Sequence, residues 1–217
     1  VSAERGRIQA AVLLDLQRRL ESLYALPPQA PVTDFLIADA SGYPGGGSRT
    51  LVTQEGDEMS VGVVLDSEVG ESLAEQDPRE RLDGRNLDSF CTATEEVSHF
   101  VYLLFCAGAG RTVTELELEL QAEVDKYLCS AFLLSAQNEG AVSTRLRELL
   151  FRRYRLAGRM SDERAERYHA ASQLAYRYCG HLESRYLRAS RLMDLAREAR
   201  RFYRLGQREK LEKISEL

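Results

Sequence analysis

The sequence predicts an α+β fold in which helices dominate: an N-terminal helix, a small three-stranded sheet, a pair of core helices and an all-helical C-terminal stretch. Three observations predict it. Apolar residues recur at helical spacing over residues 4–25 and again over 88–136, as in helices that bury one face. Between these stretches, residues 32–66 lose that period and carry β-branched runs bounded by glycine-rich turns. Beyond residue 140 the helical period returns, uninterrupted by strand-like runs.

In the first helix, Ile8, Val12, Leu13, Leu16, Leu20 and Leu23 form the apolar stripe. Pro27-Pro28 ends it, because proline cannot continue the hydrogen-bond ladder. Val32-Thr33-Asp34-Phe35-Leu36-Ile37-Ala38 reads as the first strand, and the glycine-rich segment 42–48 as a loop. Arg49 to Thr53 and Met59 to Asp66 read as two further strands turning at Gly56-Asp57. Residues 67–87 are polar and acidic and contain Pro78, as in a loop with a short helix. A strong helix follows from about Asp88 to Ala107, stopped by Gly108-Ala109-Gly110. Thr114-Glu115-Leu116-Glu117 is a capping-box pattern, in which Thr and Glu reciprocally satisfy orphan backbone donors at the start of the next helix. That helix continues to about Ala136. Residues 143–157, 161–187 and 188–215 are helical, with Ser161 as an N-cap. The expected organisation is an α+β unit over 4–140 and a helical extension over 141–217.

Composition narrows the function classes. No apolar run reaches the roughly 18 to 20 residues a membrane-spanning helix needs, and the first residues lack a basic-then-apolar signal pattern. Cys91, Cys106, Cys129 and Cys179 are far apart and sit in apolar helical contexts, as buried reduced thiols of a cytoplasmic protein do. Charge is uneven: residues 145–217 hold 19 basic and 10 acidic side chains, and residues 1–144 hold 10 basic and 24 acidic. Such asymmetry suits a nucleic-acid-binding tail, and equally two parts of one protein that attract each other. Neither a glycine-rich phosphate loop in its proper context nor a Gly-x-Ser-x-Gly elbow occurs.

The chemistry concentrates on the helix of residues 88–107. At 100° per residue, Phe90, Ala93, Val97, Val101 and Leu104 form the core stripe, with Cys91, Glu95, Ser98, His99, Tyr102 and Cys106 opposite and Glu96 beside them. Glu95 and His99 are i, i+4 neighbours and can address one ligand. From Phe100 to Ala107 the helix is apolar nearly all round, so charges entering it need partners. The same glutamates also suit a solvated first turn favoured by the helix dipole.

Glu95-Glu96-Val97-Ser98-His99 resembles the His-Glu-x-x-His helix of zincins, with Glu in the place of the first ligand. The order of elements is similar to that of small ImmA/IrrE-type zincins, whose next helix carries a Glu-x-x-x-Asn/Asp pattern. Here Gln121-Ala122-Glu123-Val124-Asp125 resembles it, with Gln121 in the place of the third ligand. The resemblance spans about residues 4–136. It implies Glu96 as the catalytic base, His99 as the surviving zinc ligand, and Asp125, Gln121 and Tyr102 as groups behind the ligands. With two of three ligands replaced, it implies an altered metal site and a pseudoenzyme or regulatory module that binds another protein. The alternative it leaves is a metal-dependent hydrolase using Glu95, His99 and Glu119 or Glu123, with Glu96 as base and a single divalent metal such as zinc. On the helix of residues 114–136, Glu115, Glu119, Glu123 and Lys126 form one polar stripe and Gln121 and Asp125 another. Only one is expected to face the motif helix. The first stripe also suits a solvated face with Glu–Lys pairs.

Two other constellations remain. Glu96-x-x-His99 and Glu166-Arg167-Tyr168-His169 both match the Glu-x-x-His element of di-iron carboxylate bundles, with Glu21 and Glu119 or Glu123 completing a two-iron set. Arginines interleave with aromatics at Arg152, Arg153, Arg200, Arg201 and Arg204, a pattern able to contact phosphates and stack on bases. The same pattern suits arginine-coated helices docking on the acidic N-terminal part.

Overall fold

The computed structural model describes residues 2–38, 41–42, 46–56, 58–141, 145–152 and 162–217, apart from the side chains of 2, 152 and 162. Among these residues the chain is mostly helical, with one small antiparallel hairpin.

Helix α1 (Ser2–Tyr24) buries Val12, Leu13, Leu16, Leu20 and Tyr24. It stops at Ala25, which takes a left-handed φ of 50° ahead of the two prolines. The strand expected over 32–38 does not form. Residues Val32–Phe35 make a 3₁₀ turn, closed by Asp34 N–H donating to the Pro31 carbonyl at 3.0 Å. Tertiary contacts override the strand-like composition here: the Val32 N–H donates to Gln17 Oε1 of α1 at 2.7 Å, and that amide also donates to the Ala30 carbonyl. What remains of the sheet contact is a single parallel bridge of Leu36 to Val63, with the Ile37 N–H donating to the Val63 carbonyl at 2.9 Å.

Strands β1 (Arg49–Glu55) and β2 (Glu58–Val64) pair in antiparallel register from Arg49 opposite Val64 to Glu55 opposite Glu58. Gly56 at the turn has φ +62°, a conformation glycine takes without steric cost. The short helix expected beyond the hairpin is α2 (Ser67–Glu75), capped by Asp66, whose carboxylate accepts from the Glu68 N–H at 2.9 Å.

Helices α3 (Leu87–Gly108) and α4 (Glu115–Gln137) form an antiparallel hairpin at the centre. Thr114 caps α4, accepting from the Glu117 N–H at 3.2 Å. Only this half of the expected capping box forms. Glu117 is buried and its carboxylate is held by Tyr102 and Arg111, so it does not turn back to the Thr114 backbone. From Leu120 to Ala131 every residue of α4 is buried, because α1, α3, α5 and α6 surround it.

The C-terminal stretch comprises α5 (Leu146–Arg152), α6 (Asp162–Leu182), a π turn at Glu183–Leu187, α7 (Leu192–Arg204) and α8 (Gln207–Ser215). Helix α5 is described only as far as Arg152, and Ser161 lies outside the described residues. The expected last helix is divided at Leu205-Gly206, where Leu205 is extended and Gly206 begins α8. One apolar core runs without a break from Val12 to Ile214, across residue 140. Tyr24 of α1 stacks on Tyr203 of α7 with centroids 3.8 Å apart, and Tyr178 of α6 stacks on Phe202 at 3.9 Å. No helix among the described residues is long and apolar enough to cross a membrane.

Candidate functional site

Helix α3 places its polar residues on two adjoining edges. Glu95, Glu96 and His99 face the region where β1, the first half of α4 and the start of α6 meet. Ser98 and Tyr102 face the region between α4, α1 and α8. The two polar stripes of α4 therefore both reach α3: Glu119 Oε2 lies 3.5 Å from His99 Nε2, and Ser98 Oγ donates to Asp125 Oδ2 at 2.6 Å. The expectation that only one stripe faces α3 is corrected. A helix buried on all sides contacts its hairpin partner along both flanks of the contact line. Nor is the first stripe a solvated face, since Glu119, Glu123 and Lys126 are all buried.

On the first edge, Lys126 Nζ donates to Glu95 Oε2 at 2.8 Å and to Glu123 Oε1 at 2.5 Å. Tyr168 of α6 donates its hydroxyl to the other oxygen of Glu95. All three charged side chains are at least 87% covered. Burial alone would lower the Lys126 pKa, but Glu123 and Glu95 outweigh it and hold the ammonium protonated far beyond its ordinary range. Burial alone would likewise raise Glu95, yet Lys126 and then His99 bring it below the usual carboxylate value. This is an ionised pair in a dry site, where mutual attraction compensates the loss of hydration.

Next to it stands a row of Glu96, His99 and Glu119. Glu96 Oε2 lies 3.8 Å from His99 Nδ1 and accepts the Thr50 hydroxyl of β1 at 2.8 Å. Burial opposes charging of His99, but Glu119 and Glu96 outweigh it and raise its pKa to about 10. Its two acidic neighbours thus favour the protonated imidazole. His99 Nε2 and Glu119 Oε2 are close but not aligned, and neither has a hydrogen-bond partner among the described residues. This row forms the floor of a cleft of about 850 Å³, walled by β1, the α3–α4 connection and the start of α6.

The second edge is a buried network that meets the cleft at Arg111. Asp125 accepts from Tyr24, from Ser98 and from Gln121 Nε2 at 2.9 Å. Burial raises its pKa to about 6. Lys210 of α8, fully buried, donates to Gln121 Oε1 and to the Tyr102 hydroxyl, both at 2.8 Å. Burial lowers its pKa to about 7. Tyr102 in turn donates to Glu117 at 2.5 Å, which also accepts from Arg111 at 2.6 Å. Gln121 and Asp125 thus join α4 to α1 and α8 and point away from His99.

These placements bear on a metal. The set implied by the zincin resemblance is Glu95, His99 and the position of Gln121. Glu95 has both oxygens engaged by Lys126 and Tyr168, and Gln121 lies on the other edge. Glu123 is held by Lys126 as well. An ammonium thus sits among the carboxylates that a divalent ion would need, and the residues do not fit that site. The structure also does not assemble the two-iron set. Tyr168 turns inward to Glu95, so Glu166 and His169 face solvent, and Glu21 accepts from Gln17 and Gln29 on the far side of α1. Of the arginine cluster, Arg200 Nε donates to the Leu23 carbonyl at 2.7 Å and Arg204 to the Tyr24 carbonyl at 3.0 Å, capping α1. Arg201 is exposed, while Arg153 and the Arg152 side chain lie outside the described residues.

Sequence reasoning missed Thr50, Arg49, Tyr168 and Lys210. Tyr168 was visible only as part of Glu166-Arg167-Tyr168-His169. The signal for Lys210 was its i, i+4 relation to Ile214 on the buried face of α8. No protein-family model, curated protein or solved structure matches this chain.

Proposed function

We propose that this protein is a binding module built on a zincin-like helix pair, in which an internal lysine stands where a metal would be, and that it acts by docking a segment of another protein in the β1–α3–α6 cleft. The position of Lys126 carries the reading. Its ammonium neutralises Glu95 and Glu123, and displacing it in favour of a metal would leave a buried lysine without its carboxylates. The cleft supplies the docking surface. β1 pairs only with β2 among the described residues, and its other edge lines the cleft. An unpaired edge offers main-chain donors and acceptors to an extended segment. In this reading Glu96 does not act as a base on a metal-bound water. It holds Thr50 and His99, and so sets the cleft floor against β1.

One observation favours the second reading, a metal-dependent hydrolase. His99 Nε2 and Glu119 Oε2 face each other without hydrogen-bond partners at 3.5 Å, near the separation of two ligands about one tetrahedral ion. They would be two protein ligands where catalytic zinc ordinarily has three.

Titration of the isotope-labelled protein with unstructured peptides, followed by amide NMR and mass spectrometry, separates the two. The binding module predicts shifts in Thr50–Gln54 and around His99, with the peptide recovered intact. Cleavage that stops with a chelator and with Glu96→Gln overturns it.

A further inference from the structure

We infer that the segment docked in this cleft is acidic: an extended peptide whose Asp and Glu side chains are received by the cleft's arginines. The inference rests on the docking role proposed above and names the partner's chemistry.

Among the described residues, four side-chain atoms buried without a hydrogen-bond partner belong to residues of this one cleft: Arg49 Nε, His99 Nε2, Arg167 Nε and Glu119 Oε2. They come from β1, α3, α6 and α4, elements remote in sequence. Three of the four are nitrogens, and a guanidinium nitrogen only donates. These atoms are closed off from solvent and mark polar groups set behind the cleft surface, while the side chains of Arg49 and Arg167 that carry two of them line the cleft itself. His99 lines the cleft floor but is 92% covered, and its Nε2 faces Glu119 Oε2 at 3.5 Å.

Charge points the same way. Arg49, Arg111, Arg164 and Arg167 line the cleft against Glu96, Glu115 and Glu119, with Arg111 held by Glu117 and Tyr102, in a chain whose formal net charge is −5. Arg167 is bound to Glu115 through Nη2 at 2.6 Å, which leaves its Nε directed elsewhere. Arg49 uses Nη1 on the Gly47 carbonyl and likewise keeps Nε unused. Glu96 and Glu119 lie against His99 on the floor, so acidic side chains of a ligand are met at the arginine wall.

Size and shape select a peptide over a small anion. The cleft's 850 Å³ is near the top of the range for a small-molecule pocket, and it follows β1 from Arg49 to Gln54. The far side of β2 carries the Leu36 bridge at Val63, whereas the other edge of β1 has no strand partner among the described residues. A strand added there projects alternate side chains toward the cleft walls.

The test is fluorescence polarisation with three labelled seven-residue peptides of alternating valine, carrying three glutamates, three glutamines or three lysines. The glutamate peptide is expected to bind at least about tenfold more tightly than the glutamine peptide, with the preference shrinking as salt rises. Arg49→Glu combined with Arg167→Glu is expected to reverse the order in favour of the lysine peptide, an outcome an unfolded variant cannot give. The salt series on the unaltered protein needs no variant. Equal binding of the glutamate and glutamine peptides overturns the acidic preference while leaving the docking role. Binding of none of the three overturns both.

Discussion

Replacing Lys126 with Met removes the one cation between Glu95 and Glu123 while keeping most of the side chain's volume. The ammonium lies 2.8 Å from Glu95 and 2.5 Å from Glu123, and the side chain is 8% exposed. Without it, two buried carboxylates face each other, with Tyr168 and His99 beside Glu95 among the described residues. Breaking a buried ion pair from one side costs about 3–5 kcal/mol, far more than the 0–1 kcal/mol of a surface pair. For a chain of this length that corresponds to a fall in melting temperature of roughly 6–20 °C. Urea denaturation followed by circular dichroism, with a thermal melt beside it, reads the effect. The double variant Lys126→Met with Glu123→Met removes one charge of each sign and is expected to recover more than half of the loss. A loss below about 1 kcal/mol for Lys126→Met, the value of an exposed pair, would refute the reasoning.

Four further outcomes follow from the same geometry. Lys210 has its folded pKa lowered to about 7 from 10.5, so the unfolded chain binds more protons between those values. Its contribution to stability rises with pH across that window, and the difference between the unaltered protein and Lys210→Met should do so in urea titrations from pH 7 to 10. His99 has its folded pKa raised to about 10 from 6.5, so its contribution is complete below pH 6.5 and lost toward pH 10. The corresponding difference for His99→Asn should fall over the same series. Arg200→Ala and Arg204→Ala each uncap carbonyls at the end of α1 and should each lower stability by about 1 kcal/mol without changing retention on heparin at low salt. Gly62→Ala brings a Cβ to 2.5 Å from Ile37 Cδ1, and the displaced side chain should cost about 1–3 kcal/mol in denaturation.

The central helices were legible because their signals are local. The apolar period of α3, the glycines after it and the Thr114 cap all lie within a few residues of what they determine. The pairing of Glu95 with His99 on one edge of α3 also follows from spacing alone. What spacing cannot show is which distant side chain arrives. Lys126 is 31 residues from Glu95 and Tyr168 is 73, and neither separation leaves a periodic trace. The two stripes of α4 looked exclusive because a helix packed on one neighbour has one buried face. This helix packs on four, so charged residues sit on buried faces in both directions. The failed strand at 32–38 has the apolar content of a strand, but Gln17 of α1 captures its first N–H. The charge asymmetry between the two parts of the chain was visible from composition. Its use was not: Arg200 and Arg204 close the end of α1, and Lys210 reaches the core of the helix pair.

Equilibrium dialysis against zinc at neutral pH, with metal measured in the unaltered protein and in Lys126→Ala, bears most directly on the proposal that the lysine replaces a metal. No zinc is expected to be retained by the unaltered protein, with uptake in the variant, where Glu95 and Glu123 lose the ammonium that holds them. One equivalent of zinc held by the unaltered protein and lost on Glu95→Ala would contradict it.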